Sequence, residues 1–383
     1  MSATTRRHVA LFGAANAGKS TLFNALLGQQ AAIVSPEPGT TTDPVIRAVE
    51  LLGYGPVNLI DTAGLADSSS LGAARMARTL LMMERADVGV FVTDGHSPTP
   101  PPELPFPIPV ITVVTKCDGV SAAQRRPYPD AIWMEGDVAL DHLRERIIAE
   151  LRRLDGERPP QLMEGLVPAG GQVLLITPLD SEAPTGRLIL PQVQVLRACL
   201  DLGLFTLTVR ETELSGALTR FVPDLAITDS NVFALVNALL PSEIPLTSFS
   251  MLLARQSGGF AQLLEGAERI KTLKNGDRVL ITEGCTHNTS HEDIGRVMIP
   301  KALSALCGKR LSLTHTTGYD FPDDPTDFAL VIQCGGCMTA PRALHNRLAL
   351  LRSLRVPVTN YGMVLAMKTG ILERTAAPIL SAD

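Results

Sequence analysis

The chain has 383 residues, of which 45% are hydrophobic and 19% are charged, and its formal net charge at pH 7 is −5. This composition is typical of a packed globular protein and excludes a disordered chain, and the length predicts two or three domains. The acidic balance argues against binding to nucleic acid or to a membrane surface, and six cysteines in so long a chain do not make a disulfide framework.

The first predicted element is the apolar run from His8 to Phe12, which follows directly on the polar stretch Met1 to Arg7. No secretory signal is visible in that stretch, and no apolar run of the sequence approaches the roughly 20 residues that span a bilayer. We therefore expect a cytoplasmic protein without a membrane segment.

An α/β sheet is predicted from His8 to about Glu150, because apolar strand patterns alternate there with helical ones such as Lys19 to Leu27. The buried parallel strands are expected at 57–61, 88–94 and 110–115. The crossover 97–107 between the last two contains so many prolines that it can hardly form a helix.

A phosphate-binding loop lies between the first strand and the first helix, where Gly13 to Ser20 fits G-x-x-x-x-G-K-[ST]. Its glycines allow backbone N–H groups to face phosphates, Lys19 reaches the β and γ oxygens, and Ser20 can bind magnesium. The residues expected to contact the nucleotide here are Gly13, Asn16, Ala17, Gly18, Lys19, Ser20 and Thr21.

Two further motifs are expected to contact the magnesium ion and the γ-phosphate. Asp61-Thr-Ala-Gly64 ends a strand, which places Asp61 near the magnesium and the Gly64 amide near the γ-phosphate. The segment 39–43 stands in the place of a first switch loop, and Thr41 is its expected magnesium contact. The expected catalytic residues are Lys19, Thr41, Asp61 and Gly64.

Thr115-Lys-Cys-Asp118 is the expected base-recognition motif. The Asp118 carboxylate can accept two hydrogen bonds from guanine, which adenine does not offer, and Lys116 is the lysine of the motif. Thr115 replaces the usual asparagine, and the segment after Asp118 lacks a Ser-Ala clamping motif, although 133–136 stands nearby. Together the four motifs indicate a GTP-binding domain.

The GTP-binding domain resembles the TrmE/Era-like GTPases, because Leu65 follows the Asp61–Gly64 motif where Ras-like enzymes carry a water-positioning glutamine. Asn16 stands where the potassium-activated members of that group have an asparagine that helps to hold the ion. The resemblance implies slow GTP hydrolysis that K⁺ stimulates, with the cation stabilising charge at the β–γ bridge.

Two smaller α/β units are predicted after a linker at about 155–171. The fold class is thus α/β, with a P-loop GTPase domain followed by two smaller α/β domains, and the expected boundaries are 1–158, 172–255 and 256–383. The middle unit shows no catalytic constellation, which favours a role in assembly.

Three cysteines of the last unit, Cys285, Cys334 and Cys337, each follow an apolar strand. The carboxyl ends of parallel strands share one edge of a sheet, so the three thiolates can converge there. Such a set suits an iron–sulfur cluster with one open site or a zinc ion completed by histidine, and Cys334 and Cys337 alone could form a redox pair.

The sequence as a whole resembles the HydF family, the GTPases required to mature FeFe-hydrogenase. The segments that carry the resemblance outside the GTPase motifs are 190–194, 276–280, 285–287, 292–296, 334–338 and 360–362. Cys285, His287, Cys334 and Cys337 match the family signature C-x-H…H-C-x-x-C, whereas Gln333 replaces its second histidine and Asn288 replaces a further one.

The resemblance implies a 4Fe–4S cluster held by three cysteines, with an exchangeable fourth ligand. Candidates for that ligand are His287, His291, Glu292, Asp293, water or a delivered cofactor. It also implies a scaffold that takes a di-iron subcluster precursor from two radical-SAM maturases, HydE and HydG, and delivers it to apo-hydrogenase. The nucleotide state would bias this exchange through the switch loops. The middle unit resembles the family's dimerisation domain, which implies a homodimer or a larger assembly of it.

Two other functions remain open at this point. One is a GTPase acting on RNA or the ribosome, with a structural zinc at the cysteines; the acidic balance and the few lysines speak against it. The other is a redox-sensing GTPase in which Cys334 and Cys337 form a reversible disulfide. The metal content of the protein distinguishes these two functions from the hydrogenase-maturation scaffold: iron with sulfide indicates the scaffold, zinc the RNA- or ribosome-associated GTPase, and no metal the redox sensor.

Overall fold

The computed structural model describes residues 6–14, 16–28, 45–62, 79, 82–156, 161–179, 188–284, 294–317, 321–322, 324–336, 339 and 341–382. The chain divides into two units, residues 1–158 and residues 159–383. Among the helices of the described residues, none is long and apolar enough to cross a membrane.

The first unit is built on a six-stranded sheet in the order β2-β3-β1-β4-β5-β6. Its strands are β1 (His8–Gly13), β2 (Val45–Leu51), β3 (Gly55–Asp61), β4 (Val88–Asp94), β5 (Val110–Thr115) and β6 (Ile132–Trp133). All neighbouring pairs are parallel except β2 with β3. The central strand β1 is buried along its whole length, because apolar clusters pack on both of its faces.

Helices α1 (Lys19–Leu27) and α3 (Gly136–Gly156) bury apolar side chains, whereas the short helix α2 (Ala122–Arg125) buries none. Helix α3 buries Leu143, Ile147, Leu151 and Leu154. Their spacing of three and four residues places them on one helical face, against the side of the sheet that carries Val9 and Leu11.

The crossover from β4 to β5 runs without a helix, as its prolines predict. Pro100, Pro101 and Pro102 are exposed, whereas Phe106 and Ile108 insert into the apolar cluster on the other face of the sheet. The crossover is therefore an extended connection that two apolar side chains anchor.

The second unit contains two four-stranded parallel sheets, in the orders β10-β9-β7-β8 and β12-β11-β13-β14. The strands of the first are β7 (Gln172–Ile176), β8 (Phe205–Val209), β9 (Leu225–Thr228) and β10 (Leu246–Ser248). Those of the second are β11 (Arg278–Glu283), β12 (Ser312–Thr317), β13 (Leu330–Gln333) and β14 (Val358–Asn360). The predicted α/β fold class is confirmed.

The helices of the second unit are α4 (Leu190–Asp201), α5 (Leu214–Leu218), α6 (Phe233–Leu239), α7 (Phe249–Gln256), α8 (Phe260–Arg269), α9 (Ile299–Cys307), α10 (Pro341–Ser353), α11 (Tyr361–Thr369) and α12 (Leu372–Leu380). One continuous apolar core runs through this unit from Leu162 to Ile379. The division of the unit at 255/256 stays a prediction.

Candidate nucleotide and metal sites

The phosphate-binding loop turns sharply between β1 and α1. Gly13 has φ +145°, and a Cβ there would stand 2.0 Å from the Val92 carbonyl oxygen, so only glycine fits. Gly18 has φ +83° and Asn16 φ +60°, both in the left-handed region. The loop thus has the strained, glycine-dependent backbone that leads into the amino end of α1, where phosphate binds well.

Lys19 is buried at the start of α1, and its Nζ donates to the Ala14 carbonyl at 2.7 Å. Burial lowers the pKa of this ammonium, and the nearby Asp61 carboxylate partly opposes the effect. A phosphate group would supply the negative charge that favours the ammonium form, which is the role the motif predicts for this residue.

Ser20 and Asp61 meet on the magnesium side. The Ser20 hydroxyl donates to Asp61 Oδ2 at 3.1 Å, while the buried Asp61 Oδ1 has no hydrogen-bond partner among the described residues. Burial raises the pKa of Asp61. An unpartnered carboxylate oxygen beside a hydroxyl is a fitting donor set for Mg²⁺, which prefers oxygen ligands. Thr41 and Gly64 lie outside the described residues, so their roles stay predictions.

The base-recognition motif opens onto a cavity of about 520 Å³. Its lining residues are Lys116, Cys117, Asp118, Gly119, Val120, Arg125, Met134, Glu135 and Gly136. Lys116 has φ +52°, and its Nζ donates to Asp94 Oδ2 at 2.7 Å, which lowers the pKa of Asp94. Asp118 and residues 134–136 thus line the same cavity. These residues belong to the segment after Asp118, which lacks a Ser-Ala motif.

Sequence reasoning missed Arg125, which lies on the same cavity. Its guanidinium makes a bidentate ion pair with Glu135 and lies over the Trp133 ring, 4.9 Å from the ring centroid to Cζ. No short sequence motif predicts this arrangement, because Arg125 of α2 meets Trp133 of β6 and Glu135 only in the folded chain.

Thr115 contacts the phosphate-binding loop directly. Its hydroxyl donates to the Ala17 carbonyl at 2.6 Å, and the Thr93 carbonyl lies 3.3 Å from it. The methyl and hydroxyl of Thr115 also lie closest to the space that a side chain on Gly18 would enter. Thr115 therefore joins the base-recognition motif to the loop by a hydrogen bond.

Cys334 directly follows β13 at the carboxyl edge of its sheet. Its Sγ accepts the Gly284 backbone N–H at 2.9 Å, and Gly336 provides a second backbone hydrogen bond. Burial raises the pKa of the thiol, and these two donors act in the opposite direction. Directed N–H groups stabilise a thiolate and suit a cluster ligand, so the described part of this site fits an iron–sulfur cluster.

Neighbouring residues fix this edge. Thr282 pairs with Gln333 across β11 and β13, and the Tyr361 hydroxyl donates to the Thr282 carbonyl at 3.2 Å. Gln333, which replaces the family's histidine, is 4% exposed, and its Oε1 has no partner among the residues described. Gln333 is therefore a buried strand residue, and its amide oxygen can still accept a hydrogen bond.

Cys285, His287 and Cys337 lie outside the described residues, so their convergence on Cys334 stays a prediction. Within the part of the chain that the structure describes, no three His, Cys, Asp or Glu side chains form a group that could hold a metal ion.

The fold of the first unit, its phosphate-binding loop and its base cavity define a P-loop GTPase, and residues 8–116 match the family model described as 50S ribosome-binding GTPase. Residues 162–258 match the hydrogen maturase F dimerization domain, and residues 261–378 match the hydrogen maturase F tetramerization domain. These two models together cover more than half of the chain, which belongs to the hydrogen maturase F (HydF) family.

Curated relatives match the GTPase domain alone. The tRNA modification GTPase MnmE of Bordetella parapertussis is 39% identical over 152 residues, covering 37% of this chain and 33% of that protein. MnmE of Thermus thermophilus is 38% identical over 150 residues, covering 39% and 34%. The chain thus spans about a third of the length of these relatives. They confirm a GTPase domain of the TrmE/Era-like kind.

Two solved structures are similar to part of the chain. The G domain of the T. maritima FeoB iron transporter is 24% identical, covers 38% of this chain and 99% of its own, and gives a TM-score of 0.29. Era in complex with MgGDPNP and a segment of 16S ribosomal RNA is 21% identical, covers 53% and 91%, and gives a TM-score of 0.31.

Proposed function

We propose that this chain is a GTP-binding scaffold in FeFe-hydrogenase maturation, which holds a 4Fe–4S cluster and delivers a di-iron subcluster precursor to apo-hydrogenase in the cytoplasm. Membership of the hydrogen maturase F family supports the process. The observation that carries the cluster is the pair of backbone N–H donors on Cys334 at the edge where β11 and β13 end.

The first unit would bind and slowly hydrolyse GTP. Lys19 would contact the β- and γ-phosphates, Ser20, Thr41 and Asp61 would hold Mg²⁺, and the Gly64 amide would face the γ-phosphate. The metal ion supplies charge neutralisation on the phosphates. Asn16 has an exposed side chain at the turn of the loop, which supports its role as a ligand for a stimulating K⁺. Asp118 would select guanine.

Cys285, Cys334 and Cys337 would hold the cluster, and His287 is one candidate for its fourth ligand. When bound, an iron with an exchangeable site can accept a cyanide-like donor of the precursor. Gly284 and Gly336 orient N–H groups toward the Cys334 sulfur and oppose the burial that raises the pKa of this thiol, and a bound iron would supply the positive charge that favours the thiolate. Gln333 cannot replace the family's histidine as a strong ligand, which favours a three-cysteine set.

The second unit would form a homodimer and larger assemblies. Strand β8 is an edge strand of its sheet, and Phe205 at its start and Leu200 in the preceding helix α4 are 67% and 64% exposed. Large exposed apolar side chains at a sheet edge are typical of an interface between copies. Its partners in maturation would be HydE, HydG and the apo-hydrogenase.

Anaerobic reconstitution with iron and sulfide, followed by reduction and EPR spectroscopy, tests the cluster. We expect a 4Fe–4S signal in the wild type and in Cys307→Ala, an isolated cysteine, and its loss in Cys285→Ala. A protein that takes no cluster but holds one tight zinc ion would contradict the proposal. It would favour an RNA- or ribosome-associated GTPase with a structural metal.

A further inference from the structure

The guanidinium of Arg125 makes two side-chain contacts at the wall of the base cavity. Its edge is occupied by the bidentate ion pair with Glu135, and one side of its plane is covered by Trp133. The ion pair and the ring contact act on one planar group, so both favour the same orientation of the guanidinium in the absence of a ligand.

The positions of Trp133 and the cavity relative to Arg125 decide what the second face of the guanidinium can contact. Arg125 and Glu135 are among the described residues that line the cavity, whereas Trp133 is not. Arg125 thus stands between the Trp133 ring and the space above Asp118. Because Arg125 lines the cavity and rests on the Trp133 ring, the face of its guanidinium opposite that ring is the one that a ligand in the cavity can contact.

We infer that Arg125 stacks on the guanine ring and covers one face of the base that Asp118 recognises at its edge. Arginine planes stack well on nucleobases, and a cation over an aromatic ring gains electrostatic as well as dispersion energy. A Trp133–Arg125–guanine stack would take the place of the Ser-Ala clamp that this sequence lacks. The inference rests on the GTP-binding part of the proposed function.

The residue next in sequence provides a matched control. Arg126 is exposed, carries the same charge and does not line the described part of the cavity. Arg125→Lys separates the plane from the charge, because lysine keeps the cation and loses the flat stacking surface.

The test is isothermal titration of the full-length protein with GDP, and separately with tripolyphosphate, which has no base. We expect Arg125→Ala and Arg125→Lys each to weaken GDP binding by about 5- to 20-fold and tripolyphosphate binding by less than about 2-fold. Arg126→Ala should bind both as the wild type does. In GTP hydrolysis the Arg125 variants should raise KM and leave kcat unchanged, because the stack is present in the ground state and in the transition state.

Two results would overturn the inference. If Arg125→Ala binds GDP as tightly as Arg126→Ala, no stack contributes to binding. If it loses GDP and tripolyphosphate equally, Arg125 only maintains the fold of the domain. A wild-type protein that binds tripolyphosphate but gains nothing from the guanosine would overturn the proposed GTP site as well.

Discussion

At the scale of single residues, Thr115 shows how a departure from a motif can keep its physical role. The hydroxyl lies 2.6 Å from the Ala17 carbonyl oxygen, so it holds the base-recognition motif to the phosphate-binding loop with one short side chain. The sequence suggests weaker base recognition, because asparagine is usual here. Weaker base affinity stays a prediction, and the hydrogen bond to Ala17 gives Thr115 a second role in supporting the loop.

Thr115→Val removes this hydroxyl and keeps the branched shape. We expect the affinity for both GDP and tripolyphosphate to fall by about 5- to 20-fold, since a lost hydrogen bond to a buried carbonyl costs ~1–2 kcal/mol. Thr115→Ser keeps the donor and should bind both as the wild type does. Calorimetric titration checks this prediction. A valine variant with unchanged tripolyphosphate affinity would show that Thr115 does not support the phosphate-binding loop.

His8 makes the stability of the first unit depend on pH. Burial lowers its pKa from the ordinary value of 6.5, and its Nε2 accepts from Asn58 Nδ2 at 3.2 Å. The folded chain keeps His8 neutral, while the unfolded chain binds a proton below that value. The free energy of unfolding should therefore fall as the pH drops through and below 6.5.

Urea unfolding at two pH values, followed by the emission of Trp133, measures this effect, because the single tryptophan lies in the first unit. Between pH about 7.5 and 5.5 the wild type should lose up to ~1.4 kcal/mol more than His8→Gln does. His96→Gln, an exposed histidine of the same unit, should behave as the wild type. Equal pH slopes in the wild type and His8→Gln would exclude His8 as the cause.

At the scale of elements, the sequence predicts apolar strands better than polar ones. The apolar strands at 225–228 and 278–283 lie where their composition indicates. The strand Ser312–Thr317 was not predicted, because its sequence SLTHTT is polar and only half-buried at the edge of its sheet. Its pairing with β11 depends on a neighbour 34 positions away (Arg278 with Ser312), which periodicity does not reveal.

Helix α8 packs on β14 through Gly266, where a Cβ would stand 1.9 Å from the Val358 carbonyl oxygen. Gly266→Ala must push the helix away from the sheet, and we expect a loss of about 3 kcal/mol or more in the free energy of unfolding. Gly216 in α5 has nothing within 4 Å of such a Cβ, so Gly216→Ala should be neutral or stabilising by up to ~1 kcal/mol. Urea unfolding followed by far-UV circular dichroism compares them, and an alanine at 266 that is tolerated would show that the helix can shift at little cost.

Arg374 ties the last helix to α6. Its guanidinium donates to Asn237 Oδ1 at 2.8 Å and to the backbone carbonyls of Leu240 and Ile244 at 3.4 and 3.2 Å. These carbonyls follow the end of α6, where intrahelical donors run out, so Arg374 satisfies groups that water would otherwise have to reach. No sequence pattern links positions 130 residues apart, which is why this contact is visible only in the fold.

At the scale of the whole molecule, the motifs define the nucleotide site more narrowly than the metal site. The loop at 13–20 and the Thr115–Asp118 motif are each local, and a few adjacent residues define their chemistry. The cluster site requires cysteines that follow two different strands, and Cys285 and Cys334 are 49 positions apart in the sequence. Their spacing alone therefore leaves zinc, a redox pair and a cluster as alternatives. The backbone N–H group on Cys334 suits a thiolate ligand of zinc as well as of a cluster, so the identity of the metal stays a prediction.

The apolar clusters of the two units have no residue in common: those of the first unit end at Leu154, and that of the second begins at Leu162. Each site therefore has its own supporting core. We expect Lys19→Ala to weaken GDP binding by about 10- to 100-fold, through loss of charge-assisted contacts, without a change in the iron and sulfide bound after reconstitution. Cys334→Ser should lose iron and sulfide and keep its GDP affinity within about 2-fold.

Calorimetric titration and iron and sulfide analysis of both variants, with Cys307→Ala as the matched cysteine control, check this independence. Linkage is reciprocal, so a cluster that leaves GDP affinity unchanged must itself be unaffected in affinity by GDP. In that case the nucleotide state can act on maturation only through the affinity for a partner protein, by way of the switch loops. A fall in iron content in Lys19→Ala, or a shift of GDP affinity in Cys334→Ser, would show instead that the two sites are coupled within the chain.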